Sequence, residues 1–180
     1  MIIRSELAET AAALNTAHMM CAAARTAPKT RGIDNIVTLI LTDEDIRKLS
    51  GRMIETGGEG SSIARDGENL LKAQAVVLIG VKRSEYGLNC GYCGHPTCEK
   101  CMENGGACIF ATTDLGIAIG SAVSAAADMR VDNRVIYSIG KIFNLMDESG
   151  TEDIIWMGIP LSVSGKSPFF DRKKIQSAAK

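Results

Sequence analysis

The sequence predicts an α/β domain of two or three layers with a small cysteine-rich lobe set into it, and three observations predict it. Two short β-branched runs, Asn35 to Leu41 and Ala75 to Val81, have the length and composition of buried strands. Segments that favour helix surround them, beginning with Ser5 to Ala27. Five of the 6 cysteines fall between Cys90 and Cys108, directly after the second run.

The elements follow in order. From Ser5 to Ala27, the residues Leu7, Ala11, Leu14, His18 and Cys21 recur at steps of four and three. They form one stripe, so His18 and Cys21 are expected in the core. Ser5 is placed to cap this helix and Pro28 to stop it. After the Asn35 to Leu41 strand, Thr42-Asp43-Glu44-Asp45 offers a capping pattern for a helix reaching Thr56. Gly57 to Gly67 reads as an exposed loop; it lacks the Lys-Ser/Thr pair that a phosphate-binding loop needs. Glu68 to Gln74 is a short helix leading into the second strand. Thr113 to Met129 is a helix on which Gly116, Gly120 and Ser124 stand four apart, admitting a second backbone at close range. Val135 to Gly140 and Asp153 to Leu161 read as two more strands, with a turn at Asp147 to Gly150 between them. The count is four strands and about four helices.

Composition narrows the function classes. A chain of 180 residues, 46% hydrophobic, is sized for one domain with a substantial core. Its 20 basic and 21 acidic residues are spread along the chain, which offers no footprint for nucleic acid or an anionic membrane. With 4% aromatic residues and 18 glycines, the core is built from small aliphatic side chains and offers no stacking platform for bases. Met1 to Glu6 carries no apolar signal core, and no run nears the roughly 18 uninterrupted apolar residues of a membrane span. The expected location is the cytoplasm.

In a reducing compartment, clustered cysteines point to metal or cluster ligation rather than to disulfides. The spacing is Cys90-x2-Cys93-x4-Cys98-x2-Cys101-x6-Cys108, with glycines at 91, 94, 105 and 106 and a proline at 96. Soft thiolates select an iron-sulfur cluster or zinc, and glycines turn the backbone so that N–H groups reach the sulfurs. Cys90-Gly91-Tyr92-Cys93-Gly94-His95-Pro96-Thr97-Cys98 resembles the Cys-Gly-x-Cys-Gly-x-Pro-x-Cys signature of the 4Fe-4S domain found in the corrinoid iron-sulfur protein and in redox-driven membrane complexes. The resemblance implies Cys90, Cys93 and Cys98 as ligands with Cys108 the better fourth. Cys101 is also present, and the fourth position stays open between the two. The alternative is a four-cysteine zinc site with Cys90/Cys93 and Cys98/Cys101 as knuckles. Such sites usually place about a dozen or more residues between their pairs, and here only four separate Cys93 from Cys98.

A second resemblance covers most of the chain. Ala24-Arg25-Thr26-Ala27-Pro28 resembles the Arg-x-Ala-Pro-Ser segment of nitroreductase-like flavoproteins. Asp114-Leu115-Gly116-Ile117-Ala118 is similar to that family's central helix, and Gly158-Ile159-Pro160 followed by Lys166 and Arg172 to its closing strand and basic tail. That family's N-terminal Arg-Arg-Ser-x-Arg motif is absent. In order and composition the chain is also similar to the uncharacterised ferredoxin-domain proteins of anaerobic bacteria and archaea. These resemblances imply an α+β fold: a nitroreductase-like sheet flanked by helices over residues 1–180, with an iron-sulfur lobe inserted at 87–110. They further imply a homodimer, a redox partner protein, and FMN whose phosphate rests on Arg25, Lys166 and Arg172. The function expected is electron transfer or an oxidoreductase activity. The alternative is a non-catalytic binding or regulatory module stapled by zinc. No residue marks a general acid, base or nucleophile.

Overall fold

The structure, a computed structural model, describes residues 1–150 and 153–169 around an antiparallel four-stranded sheet. Its strands are β1 (Ile36–Leu41), β2 (Ala75–Lys82), β3 (Asp132–Asn133) and β4 (Ile154–Ser162), in the order β1-β2-β4-β3. The central pair runs in unbroken register from Ala75 opposite Leu161 to Lys82 opposite Ile154. β2 is apolar at consecutive positions because helices cover both faces of the sheet. Ala75, Val77, Ile79 and Val81 face a layer made by α1 (Ser5–Thr26) and α5 (Ile109–Asp128). Val76 and Leu78 face the opposite layer, made by α2 (Asp43–Gly57), α3 (Ser62–Leu70) and α6 (Tyr137–Phe143). The result is the α+β sandwich, and each fully buried Leu or Ile contributes about 1.5–3 kcal/mol.

Several elements depart from the sequence reading, each for a packing reason. The buried face of α1 is Ala13, Thr16, Ala17, Met20 and Ala24. The Leu7 to Cys21 stripe is therefore rotated off it: Leu7 is 67% exposed, His18 is exposed and Cys21 is half-buried. Small side chains win the inner face because α1 packs on the alanine face of α5, formed by Ala111, Ala118, Ala122 and Ala126. Ser121 Oγ donates to the Ala23 carbonyl at 2.9 Å across this seam. Gly116, Gly120 and Ser124 point away from it and are exposed.

Residues 57–67 are not one loop. Ser61 accepts from the Ala64 N–H at 3.0 Å and starts α3, whose Gly67 sits where a Cβ would meet Met53 Cβ at 2.9 Å. The Val135 to Gly140 strand is instead a single bridge, Ile136 to Gly158, followed by α6. This helix presents Ile139, Ile142 and Phe143 to the sheet, and Gly140 lets its backbone rest on β4 at Trp156. Neither Ser5 nor Thr42 makes a side-chain cap; Arg4 and Thr42 take the N-cap positions through backbone alone.

Among the described residues, α5 is long and apolar enough to cross a membrane by length and composition, with a mean hydropathy of 1.4. Thr112, Thr113 and Asp114 interrupt it, so it is not a run of roughly 18 uninterrupted apolar residues. Isoleucine, valine and alanine raise the average, and the helix packs one face along α1 and the sheet. Between the end of β2 and the start of α5, residues 83–108 leave the sheet, with the short α4 (Cys98–Glu103) among them.

Candidate metal centre

The backbone between β2 and α5 folds so that five thiols share one space. Gly91 and Gly94 adopt positive φ of 75° and 85°, and the Gly94 N–H bonds to the Gly91 carbonyl at 3.0 Å, which turns Cys93 inward. Thr97 then caps α4, accepting from the Lys100 N–H at 3.2 Å, and the helical spacing places Cys98 and Cys101 on one face. Asn89, at φ 46°, grips the same helix start. Its Oδ1 accepts from the Cys98 N–H at 2.8 Å, and its own N–H donates to Cys98 Sγ at 3.3 Å. The chain reverses at Gly105 and Gly106, whose N–H bonds to the Cys101 carbonyl at 2.8 Å, and delivers Cys108 to the N-cap of α5.

Cys90, Cys93, Cys98, Cys101 and Cys108 all line a single cleft. Burial is graded across it: Cys101 is 1% and Cys108 7% exposed, Cys93 and Cys98 are half-buried, and Cys90 is exposed at the mouth. Burial pushes the Cys101 thiol up, and the hydrogen bond with Cys93 and the charges of Cys93, Cys108 and Cys98 push it further. Thiols held this close repel as thiolates, a repulsion that bound cations relieve. Cys108 at the start of a 20-residue helix adds free N–H groups, which favour negative charge. Among the described residues, no three His, Cys, Asp or Glu side chains converge at the spacing of one metal ion. His95 lines the same cleft, with Nδ1 3.4 Å from Asn104 Nδ2.

Three anchors tie this lobe to the body, a role the sequence reading gave to none of them, although it quoted Asp114 within the central-helix motif. Asp114, 2% exposed on α5, accepts from Tyr86 Oη at 2.7 Å and from the N–H and Oγ1 of Thr30 at 3.0 and 2.9 Å. Arg31 donates to the Tyr86 carbonyl at 2.7 Å. Arg83 reaches the carbonyls of Gly105 and Gly106 at 3.3 and 3.4 Å while its Nε lies 2.9 Å from Asp153. A carboxylate inside the apolar run of α5 was the available signal for Asp114, because a buried carboxylate requires donors.

The basic flavin candidates do not converge within the chain. Arg25 bonds to Asp34 at 2.5 Å and to the Ile36 carbonyl at 2.8 Å, at the Val81 end of β2. Although partial burial opposes it, the Arg25 guanidinium, with the Ile36 N–H and Lys29, holds the Asp34 carboxyl below its usual range. Lys166 follows Val163, which pairs with Gln74 beyond the opposite end of β2, roughly 20 Å of strand away. Arg172 lies outside the described residues.

Comparisons with known proteins agree with this architecture. A nitroreductase with bound FMN from Bacteroides fragilis shares the fold at a TM-score of 0.56 and 11% identity, with 100% of this chain and 88% of that one covered. A nitroreductase family protein from Clostridium novyi matches at a TM-score of 0.53 and 14% identity, over 91% of this chain and 76% of that one. An uncharacterized protein of Archaeoglobus fulgidus is 40% identical over 167 residues, spanning 86% of this chain and 88% of the relative. The family described as uncharacterized proteins containing a ferredoxin domain (DUF2148) matches residues 104–172, a span that includes Cys108 and Asp114 but not Cys90, Cys93, Cys98 or Cys101. On this likeness the chain belongs to that ferredoxin-domain family, built on a nitroreductase-like fold.

Proposed function

We propose that this is an iron-sulfur redox protein, whose lobe at residues 87–110 holds one 4Fe-4S cluster and passes single electrons between partners. The observation that carries the reading is the convergence of five cysteines, from a loop, a short helix and a helix start, on one cleft. The donor set is all soft thiolate, which suits iron-sulfur chemistry. A bound cluster supplies one-electron exchange. Around it, the chain's own groups set the conditions. The Asn89 N–H directed at Cys98 Sγ stabilises added negative charge, and Tyr86 and Phe110 wall off water on the inner side.

Cys90, Cys93, Cys98 and Cys108 are the proposed ligands. One observation favours a second set: Cys101 is the most buried thiol and feels Cys93, Cys98 and Cys108, whereas Cys90 stands exposed at the mouth. Single Cys-to-Ser variants decide. Iron falls to background in Cys93→Ser and Cys98→Ser in either case, and whichever of Cys90→Ser and Cys101→Ser keeps full iron is not a ligand. Normal iron in Cys98→Ser would sink the assignment.

A flavin is the second reading, favoured by the fold shared with an FMN-bound nitroreductase. Arg25 is occupied by Asp34 and Lys166 lies at the other end of the sheet, so one chain's described residues build no phosphate site from this pair. Flavin released by heat from the purified protein, at one per chain, would establish it. We further propose a homodimer through the outer face of α5, where Gly116, Ile117, Gly120 and Ser124 are exposed and nothing lies within 4 Å of a Cβ placed on either glycine.

A further inference from the structure

The mouth of the cysteine cleft is apolar. Leu88 is 42% exposed, Ile109 40% and Tyr92 75%. Leu88 and Ile109 line the cleft beside the exposed Cys90, and the Tyr92 ring centre lies 6.3 Å from that of Phe110, which lines it too. Around this patch the charge is acidic. Residues 83–108 carry Glu85, Glu99 and Glu103 against Arg83 and Lys100. Lys100 is taken up by Glu103 at 2.6 Å and Arg83 by Asp153 at 2.9 Å, which leaves two carboxylates, Glu85 and Glu99, against the single guanidinium of Arg31 at the Tyr86 carbonyl.

Resting on the iron-sulfur reading above, we propose that this corner is the docking face for a basic electron-carrier protein, with the electron crossing at the Cys90 edge. An apolar centre excludes water at the crossing point, and a charged rim steers a short-lived encounter, the pattern of small redox interfaces below about 1,200 Å². The sign argues against a second copy of the same corner or a nucleic acid, since both would bring negative charge to an acidic rim. The step is one electron leaving the reduced cluster and entering the carrier's oxidised metal. No bond forms or breaks and no proton is required.

Ferric cytochrome c, a basic haem protein, serves as the probe. Zero-length carbodiimide coupling at low salt, mapped by mass spectrometry, is expected to join Glu85 or Glu99 to its lysines. Coupling confined to other carboxylates overturns the face, whether or not the cluster is loaded. Haem reduction by the reduced, iron-loaded protein is expected to slow about tenfold when salt shortens the screening length from about 30 to 8 Å. The variant Tyr92→Ser should slow it similarly, with iron content and the rate toward ferricyanide unchanged. An unchanged haem rate in that variant overturns the proposal. Wild-type protein without iron would instead sink the cluster reading, leaving the coupling map to judge the face alone.

Discussion

Tyr86 donates a 2.7 Å hydrogen bond to Asp114, joining the entry of the cysteine lobe to the central helix across 28 residues of sequence. Asp114 also holds Thr30, and Arg31 holds the Tyr86 carbonyl, so one buried carboxylate organises two segments at the inner wall of the cleft. Tyr86→Phe removes one donor and should cost about 1–2 kcal/mol in urea unfolding; Asp114→Asn, which removes the charge the three donors share, should cost about 2–3 kcal/mol. Equal midpoints for wild type and both variants would contradict this.

The same pair gives the protein an alkaline limit. Burial and the hydrogen bond to Asp114 push the Tyr86 hydroxyl up to about 12. The folded state then keeps a proton that the unfolded chain releases near pH 10, so this contribution is fully present below about pH 10 and is lost as pH rises toward 12. Unfolding midpoints measured between those values should fall more steeply for wild type than for Tyr86→Phe.

Gly106 is a test of the lobe alone. A Cβ there would lie 2.8 Å from Cys101 Sγ and 2.9 Å from the Cys101 carbonyl. Gly106→Ala should therefore lower bound iron several-fold while far-ultraviolet circular dichroism stays that of the wild type, because the sheet is untouched. Gly140→Ala is the opposite case: its Cβ would strike the backbone of Trp156, and the whole protein should lose about 3 kcal/mol or more.

The outer face of α5 separates monomer stability from assembly. Gly116 and Gly120 stand in open space, so alanine at either should raise helix stability by about 0.5–1 kcal/mol per site. Leucine at Gly120 fills the close-approach surface, and sedimentation should show the proposed dimer converted to monomer. A dimer that survives Gly120→Leu would place its interface elsewhere.

The strands β1, β2 and β4 were legible because a continuous β-branched run bounded by polar residues has few other solutions. α3 and α6 were not. Asp66, Gly67 and Asn69 are buried on α3, with Asp66 satisfied by Ser138 Oγ at 2.7 Å, so its polar sequence imitates a loop. In α6, Gly140 and β-branched neighbours imitate a strand, and only the close approach to Trp156 explains the helix. At the site, the cysteines carried their own signal through spacing. Arg83, Tyr86 and Thr30 did not, because what makes them matter is contact across 22 to 84 residues of chain.

Iron, acid-labile sulfide and zinc measured on protein purified without oxygen distinguish a cluster from a structural metal in this lobe. The cluster predicts about four irons and four sulfides per chain, with broad absorption near ~400 nm. One zinc per chain with no sulfide would contradict it, and would leave a lobe stapled by a structural metal.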